Sequence, residues 1–208
     1  MAITIYELKP RFQSLLRPLA AALAHSGVTA NQVTLAAMLV SIAVGAFVWM
    51  RADLVWPFLL LPAWLFARMA LNAIDGMLAR EFGQQSALGA YLNELSDVVS
   101  DAALYLPFAQ LAAFGVPSVG LVVLLSALSE MAGALGPMVG APRRYDGPMG
   151  KSDRAFVFGA LGLYVGLGGR LSADAYWIMP VVSLLIAISV WNRVRRGVME
   201  ARAPGAGR

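Results

Sequence analysis

The stretch that decides the fold lies between residues 72 and 101. It reads Asn72-Ala-Ile-Asp75-Gly76-Met-Leu-Ala79-Arg80 and, after a short turn, Gly89-Ala-Tyr-Leu-Asn93-Glu94-Leu-Ser-Asp97-Val-Val-Ser-Asp101. Both halves stand inside otherwise apolar segments. Placing one carboxylate at the centre of a bilayer costs about 2.5–3.5 kcal/mol on insertion scales. Several acidic side chains in one hairpin therefore indicate a functional site.

Helical periodicity places these polar side chains on two stripes. At about 100° per residue, Asn72, Asp75 and Ala79 share one face of the first helix. The second stripe has Glu94 at its flank and consists of residues spaced by four, namely Gly89, Asn93, Asp97 and Asp101. A helical hairpin would bring the two stripes together as a pocket of oxygen ligands. Hard cations such as Mg²⁺ or Mn²⁺ prefer such ligands.

The composition excludes a soluble domain. The chain has 208 residues, of which 59% are hydrophobic and 13% charged, and its mean hydropathy is +0.69. Soluble domains carry about 25% charged residues. Because long apolar runs cross lipid as helices, we predict an all-α polytopic membrane protein. The absence of cysteine excludes disulfides and thiolate metal sites. Residues 1–9 lack an apolar core, so no cleavable signal peptide is expected.

Six transmembrane helices and one interfacial helix are predicted within a single membrane domain, residues 1–208. The spans are expected at about residues 32–50, 55–78, 87–114, 119–139, 155–167 and 175–191. An amphipathic interfacial helix is expected at residues 3–24, where Lys9, Arg11 and Arg17 can meet anionic headgroups. An ordinary solvated terminus is the alternative reading of that segment. His25 follows the helix and is interpreted as structural.

The distribution of Lys and Arg predicts the orientation. Basic residues gather in the N-terminal segment, the second-to-third turn, the fourth-to-fifth loop and the C-terminal tail, whereas the opposite side carries Arg51 and Arg170. The positive-inside rule then places both termini on the cytoplasmic side of a bacterial-type inner membrane. The carboxylate hairpin falls on the same side, where nucleotides and phosphorylated metabolites occur.

The hairpin resembles the signature of the CDP-alcohol phosphotransferases, also called CDP-alcohol phosphatidyltransferases. Their pattern is Asp-x2-Asp-Gly-x2-Ala-Arg-x8-Gly-x3-Asp-x3-Asp. Six of its eight fixed positions match at the right spacing, namely Asp75, Gly76, Ala79, Arg80, Gly89 and Asp97. Asn72 and Asn93 stand at the first and third aspartates. A weaker resemblance lies at Gly27-Val-Thr29-Ala-Asn31, where Thr29 or Asn31 can cap the next helix.

The resemblance implies a divalent-metal-dependent membrane transferase of phospholipid biosynthesis. Such enzymes move a phosphatidyl or other substituted phosphate group from a CDP-linked donor to an alcohol and release CMP. The donor in most bacterial members is CDP-diacylglycerol. Carried over by position, the resemblance implies Asp75 as a metal ligand and Asp97 as the base. It places four residues around the CDP nucleotide: Gly76, Ala79, Arg80 and Gly89.

The two asparagines remove two negative charges from the implied metal site. An amide oxygen can still ligate a cation, and neighbouring acids can compensate for the lost charge. The residues expected to hold Mg²⁺ or Mn²⁺ are Asn72, Asp75, Asn93, Asp97, Glu94 and Asp101, with Glu130 as a further candidate. The alternatives are a weakened relative that binds CDP-lipid without turnover and a cation transporter with the acidic stripe as its path.

Charged residues outside the hairpin carry further predictions. Arg68 is expected to form a structural ion pair with Glu130. Lys151, Arg154 and Arg143 are expected to hold an anionic acceptor or a lipid phosphate, although positive-inside topology alone also explains them.

Two pairs of glycines show the GxxxG spacing, Gly136 with Gly140 and Gly162 with Gly166. This spacing usually indicates close helix packing. Together with the family resemblance, it predicts a homodimer.

Overall fold

The computed structural model describes residues 5–202 and the side-chain surroundings of residues 12–202. Over that range the chain forms seven α-helices and no strand. They are α1 Ile5–His25, α2 Ala30–Met50, α3 Leu60–Glu81, α4 Ala87–Tyr105, α5 Gly115–Ala134, α6 Lys151–Gly166 and α7 Ile178–Ala201. The all-α fold class is thereby confirmed. Residues 3 and 4 of the predicted interfacial helix, and the side chains of Lys9 and Arg11, lie outside these ranges.

Four helical segments are long and apolar enough to cross a membrane. They are Ala30–Met50, Trp56–Glu81, Gly115–Ala134 and Ala173–Ala201. Neither α4 nor α6 qualifies, because α4 carries three acidic residues and α6 has 16 residues. The outer faces of the qualifying helices bear exposed apolar side chains, including Phe66 at 65% and Leu184 at 61%. The layout of six spans stays a prediction.

The observed helix boundaries correct several predicted spans. The predicted third span ran to residue 114, but α4 ends at Tyr105 and a 3₁₀ helix, Leu106–Gln110, follows. Pro107 explains the break, since it has no N–H to donate to the carbonyl of Ala103. The predicted sixth span stopped at residue 191, whereas α7 continues to Ala201. Similar 3₁₀ helices occur at Trp56–Leu59, Gly136–Val139 and Ala173–Trp177.

Side-chain caps explain where two helices begin. Thr29, rather than Asn31, caps α2: its hydroxyl accepts from the backbone N–H of Gln32, and the Gln32 side chain accepts from the Thr29 N–H. Ser86 caps α4 by accepting from the Gly89 N–H at 2.9 Å. The Gln84 side chain accepts from the Ala30 N–H at 2.7 Å. The turn between α3 and α4 is therefore fastened to the start of α2.

The N-terminal helix packs against α3. The rings of Phe12 and Phe66 lie 6.1 Å apart, and Arg17 forms an ion pair with Glu81 at 3.0 Å. Leu15 and Leu19 remain exposed, at 77% and 51%. The helix itself is confirmed, and its position at the membrane surface stays a prediction.

Glycines of both GxxxG pairs pack within the chain. A Cβ on Gly162 would lie 3.0 Å from the Phe58 carbonyl oxygen, and one on Gly166 would lie 2.6 Å from Leu59. A Cβ on Gly136 would lie 2.4 Å from the Pro142 carbonyl oxygen. Because these glycines serve internal contacts, the GxxxG spacing gives no support to the predicted homodimer.

Helices α2 and α4 approach each other closely at Gly45. A Cβ at this position would lie 2.1 Å from the carbonyl oxygen of Ala103, the same carbonyl that Pro107 cannot engage. We expect Gly45→Ala to force these helices apart and to destabilise the fold by about 1–3 kcal/mol, the usual cost of overpacking. Gly120→Ala is the control, since no described atom outside its own stretch of helix lies within 4 Å of its Cβ position. Unfolding in mixed detergent micelles measures both, and equal stabilities would contradict the packing.

Candidate functional site

A cavity of about 760 Å³ lies where α2 and α4 begin, α3 ends and the loop after α5 returns. The structure brings together eight residues that the sequence singled out, and each lines this cavity: Asp75, Gly76, Ala79, Arg80, Gly89, Asn93, Glu94 and Arg143. Cavities of about 300–1,000 Å³ accommodate small-molecule ligands. Part of each predicted stripe therefore meets at this cavity, whereas Asn72, Asp97 and Asp101 are not among the residues that line it.

The glycines of the hairpin make room for polar side chains at the cavity wall. A Cβ on Gly76 would lie 2.8 Å from a guanidinium nitrogen of Arg80. A Cβ on Gly89 would lie 2.8 Å from Oδ1 of Asn31 and 3.0 Å from Oγ of Ser86. A side chain at either position would displace groups that can bind a ligand. The need to leave room for these polar groups therefore explains why glycine stands at both positions.

Asp75 is buried at the cavity wall, with 5% of its surface exposed. Its Oδ2 accepts a hydrogen bond from the Thr34 hydroxyl at 2.7 Å. One turn earlier, Asn72 does not line the cavity, and its Nδ2 is buried without a hydrogen-bond partner among the described residues. Asn93, in contrast, does line the cavity.

Eight charged side chains, which we call the ion-pair chain, alternate in sign beside the cavity. The order is Lys151, Asp97, Arg68, Asp101, Arg154, Glu130, Arg143 and Glu94. Taken in that order from Lys151 to Glu130, the five N–O distances between successive members are 2.5, 3.0, 2.5, 3.0 and 2.9 Å. Arg143 joins Glu130 at 3.4 Å and also contacts Glu94. Arg193 of α7 approaches Glu130 at 3.6 Å.

The predicted partner of Arg68 is corrected by these contacts. Arg68 forms a structural ion pair, but with Asp97 and Asp101 of α4 rather than with Glu130. Its guanidinium also donates to the Asp97 carbonyl oxygen at 3.2 Å. Glu130 of α5 is bound by Arg154 and Arg143. Among residues 12–202, Arg68 and Glu130 are therefore linked through Asp101 and Arg154 and make no direct contact.

The predicted acceptor residues differ in accessibility. Arg154 is completely buried, and its guanidinium donates to Asp101 and Glu130. The side chains of Lys151 and Arg143 keep 29% and 24% of their surface exposed. Solvent therefore reaches part of the Lys151 and Arg143 side chains, whereas Arg154 is enclosed by its own partners.

A loop cluster holds Arg143 and Tyr145 at the cavity. Asp146 accepts from Arg144 at 2.8 Å and from Arg196 at 2.7 Å, and the Met149 N–H donates to the Ser189 hydroxyl at 3.0 Å. Burial opposes ionisation of Asp146, but the hydrogen bonds from Arg144 and Arg196 keep the pKa of its carboxyl below the ordinary value. These contacts fasten the loop to α7.

The predicted metal ligands do not fit a divalent cation in this arrangement. Both carboxylate oxygens of Asp97 and of Asp101 accept from Arg or Lys, and Glu94 accepts from Arg143. Among residues 12–202, no group of three or more His, Cys, Asp or Glu side chains is arranged to hold a metal ion. Asp75 is the predicted acidic ligand that lies outside the ion-pair chain. A dication here would compete with four bound cationic side chains.

Sequence reasoning assigned no site role to several residues at the cavity. Asn31, Thr34, Gln84, Gln85 and Tyr145 line it. Thr34 is a polar residue one turn inside the first apolar span, and the two glutamines stand in the turn of the hairpin. Their polar character beside the motif could have marked them as site candidates. Their convergence on the cavity depends on packing between α2 and the hairpin, which the sequence alone does not give.

An apolar helical bundle with a cavity lined by glycines, an exposed arginine and a buried carboxylate is typical of a membrane protein that binds a polar ligand. The chain belongs to the CDP-alcohol phosphatidyltransferase family, whose model matches residues 27–191.

Named relatives support this assignment. The inner membrane protein YnbA of Escherichia coli (strain K12) is 46% identical over 193 residues, covering 93% of this chain and 96% of that protein. The phosphatidylinositol phosphate synthase of Streptomyces avermitilis is 29% identical, over 94% of this chain and 84% of that protein.

Solved structures show the same fold. Mycobacterium tuberculosis phosphatidylinositol phosphate synthase (PgsA1), in complex with manganese and citrate, matches with a TM-score of 0.70 and 20% identity. That match covers 92% of this chain and 91% of the other. The same enzyme with CDP-DAG bound matches with a TM-score of 0.68, over 92% and 96% of the two chains.

The stability of the bundle is expected to depend on Arg68. Removing one partner of a buried pair leaves uncompensated charge and costs about 3–5 kcal/mol, so Arg68→Ala should be strongly destabilising. Arg17→Ala is the control, because side chains in the Arg17–Glu81 pair are 57% and 39% exposed, and exposed pairs contribute about 0–1 kcal/mol. Unfolding in mixed micelles compares the variants. A loss for Arg68→Ala no larger than for Arg17→Ala would contradict the assigned role.

Proposed function

We propose that this chain is an integral membrane transferase that moves a phosphatidyl group from CDP-diacylglycerol to an alcohol and releases CMP. The observation that carries the proposal is the convergence of Asp75, Gly76, Ala79, Arg80 and Gly89 on one cavity wall in a member of this family. The fold relative that binds CDP-DAG supports the choice of donor.

The donor nucleotide is assigned to the cavity. Arg80 is exposed at its wall, beside the Cβ-free surface of Gly76, so its guanidinium can bind a phosphate through two parallel hydrogen bonds. The amide side chains of Asn31 and Gln85 supply donors and acceptors for a polar base or ribose. These contacts orient the diphosphate before reaction, and positioning is the larger part of catalysis in phosphoryl transfer.

The chemical step is an exchange of phosphate esters. The oxygen of the acceptor alcohol forms a bond to the phosphorus that carries the diacylglycerol. The bond from that phosphorus to the bridging oxygen breaks, and its electron pair leaves with CMP. Asp97 accepts the proton of the alcohol as general base. Asp97 Oδ1 is held by Arg68 at 3.0 Å and Oδ2 by Lys151 at 2.5 Å, so Lys151 must release Oδ2 before the proton arrives.

The family resemblance also implies Mg²⁺ or Mn²⁺, and the relative PgsA1 was solved with manganese. Such a cation supplies charge neutralisation at a diphosphate. Because the predicted ligands of this chain are engaged in ion pairs, no step proposed here depends on a metal ion.

The ion-pair chain supports a layout of six spans, and the distribution of Lys and Arg supports both termini on the cytoplasmic side. The apolar helices cross the bilayer directly, while α4 and α6 cross with their charges paired inside the bundle. Intramembrane charges normally face the bundle interior and pair with one another. The relative described as an inner membrane protein supports a bacterial inner membrane location.

One alternative function has a specific observation in its favour. Both oxygens of Asp97 are bound by cations, and asparagines stand at two motif positions, as expected of a protein that binds CDP-lipid without turnover. A cation path is disfavoured, since Glu94, Asp97, Asp101 and Glu130 all pair with Arg or Lys. CMP release separates catalysis from binding.

Release of CMP tests the proposed function. Protein reconstituted into vesicles with CDP-diacylglycerol and a panel of alcohols, phosphorylated and unphosphorylated, should release CMP with at least one acceptor. Loss of a general base typically lowers rates by about 10²–10⁴-fold, and we expect this loss for Asp97→Asn. Asp53→Asn, an exposed residue of the α2–α3 turn, is the matched control. Undiminished turnover in Asp97→Asn would refute Asp97 as base, and no release with any acceptor would favour the binding protein.

A further inference from the structure

The ion-pair chain uses the acidic side chains that a metal site would need. Four acids alternate with four bases, so the chain is formally neutral, and Arg193 adds one positive charge next to Glu130. Five of these groups come from α4 and α6, whose side chains are joined by the Lys151–Asp97 and Arg154–Asp101 ion pairs. Charges at this separation interact strongly when water is excluded. The site therefore already carries its own fixed cations.

The two asparagines at motif positions also argue against a divalent metal site. Asn72 and Asn93 remove two negative charges relative to the family pattern, which is the charge that one divalent cation would neutralise. The buried Nδ2 of Asn72 has no hydrogen-bond partner among the described residues. Without those charges, Asp75 alone among the motif acids remains outside an ion pair. A single carboxylate with amide neighbours is a weak site for a dication.

Lys151 is the most exposed cation of the ion-pair chain. Its side chain is 29% exposed, whereas those of Arg68 and Arg154 are 4% and 0% exposed. Its ammonium contacts Asp97 Oδ2 at 2.5 Å and lies close enough to Asp75 to interact with it electrostatically. An ammonium on a flexible stem can exchange one oxygen partner for another. Lys151 thus contacts the proposed base directly and interacts electrostatically with Asp75 of the cavity wall.

We propose that this chain neutralises the diphosphate of its CDP-linked donor with its own cations, Lys151 above all, and needs no divalent metal ion. The inference rests on the proposed donor. Lys151 leaves Asp97 for a phosphate oxygen when the donor binds, with Arg80 and Arg143 as further phosphate contacts from the cavity wall. Arg68 keeps its contact with Oδ1 of Asp97, so Oδ2 of Asp97 becomes free to accept the alcohol proton. Donor binding therefore uncovers the base.

Binding of CDP to the purified, detergent-solubilised protein tests the inference without requiring turnover. Calorimetry in EDTA and in Mg²⁺ or Mn²⁺ should give dissociation constants that agree within about twofold. Titration of Mn²⁺ alone, followed by electron paramagnetic resonance, should reveal no tight site. Weakening of CDP binding by tenfold or more in EDTA, or a tight Mn²⁺ site in the unsubstituted protein, would overturn the proposal.

Matched variants identify the cation. Lys151→Ala should weaken CDP binding by about tenfold or more, and Lys151→Arg should restore most of it. Arg195→Ala, an exposed arginine of α7 away from the cavity lining, should leave binding unchanged. Equal CDP affinities for Lys151→Ala and Arg195→Ala would contradict the role of Lys151.

The reverse substitutions test the charge argument. The double variant Asn72→Asp and Asn93→Asp restores the motif acids and should acquire Mn²⁺ binding together with metal-dependent CDP binding. If Mn²⁺ affinity stays the same with and without the substitutions, the charge argument fails.

Failure of this inference differs from failure of the proposed function. CMP release that requires metal would leave the transferase standing and refute metal independence. Metal-independent CDP binding without CMP release would uphold the cation site and refute the transferase.

Discussion

The salt bridges between Arg68 and the two aspartates of α4 are the constraint on which the rest of the bundle depends. They lie at 4–8% side-chain exposure and continue through Arg154 to Glu130. Buried charges are tolerated when each is paired and hydrogen-bonded, and leaving one unpaired is costly. The chain of alternating charge therefore fixes the contacts of α3, α4, α5 and α6. It also explains how two polar helices fit in an otherwise apolar protein.

The same network shapes the site. It removes Glu94, Asp97 and Asp101 from the pool of free carboxylates and leaves Asp75 at the cavity, hydrogen-bonded to Thr34. Near the cavity, Arg80 is exposed and Lys151 and Arg143 are partly exposed. An anionic diphosphate, rather than a bare cation, is the ligand that this distribution attracts. In this family member, the electrostatic support of the fold and the recognition of the donor use the same residues.

Helical periodicity was sufficient to predict the hairpin. Asp75, Arg80, Gly89 and Asn93 converge on one cavity because their spacing is local and the turn between α3 and α4 is short. The partner of Arg68 could not be derived in this way, since Asp101 and Glu130 both stand inside largely apolar helices and only tertiary packing selects between them. The end of α4 before Pro107 was readable in principle, because proline ends a hydrogen-bonded helix, but the apolar run obscured it. The GxxxG pairs show the same limit: spacing indicates close packing without naming the neighbour.

A structure of the protein with CDP bound, determined without added metal, tests the central claim most directly. The account predicts the diphosphate in the cavity with Arg80 and Lys151 in contact with its oxygens, and Lys151 moved away from Asp97. A metal ion bridging the diphosphate to Asp75 and Asp97, or a nucleotide bound outside this cavity, would contradict the account.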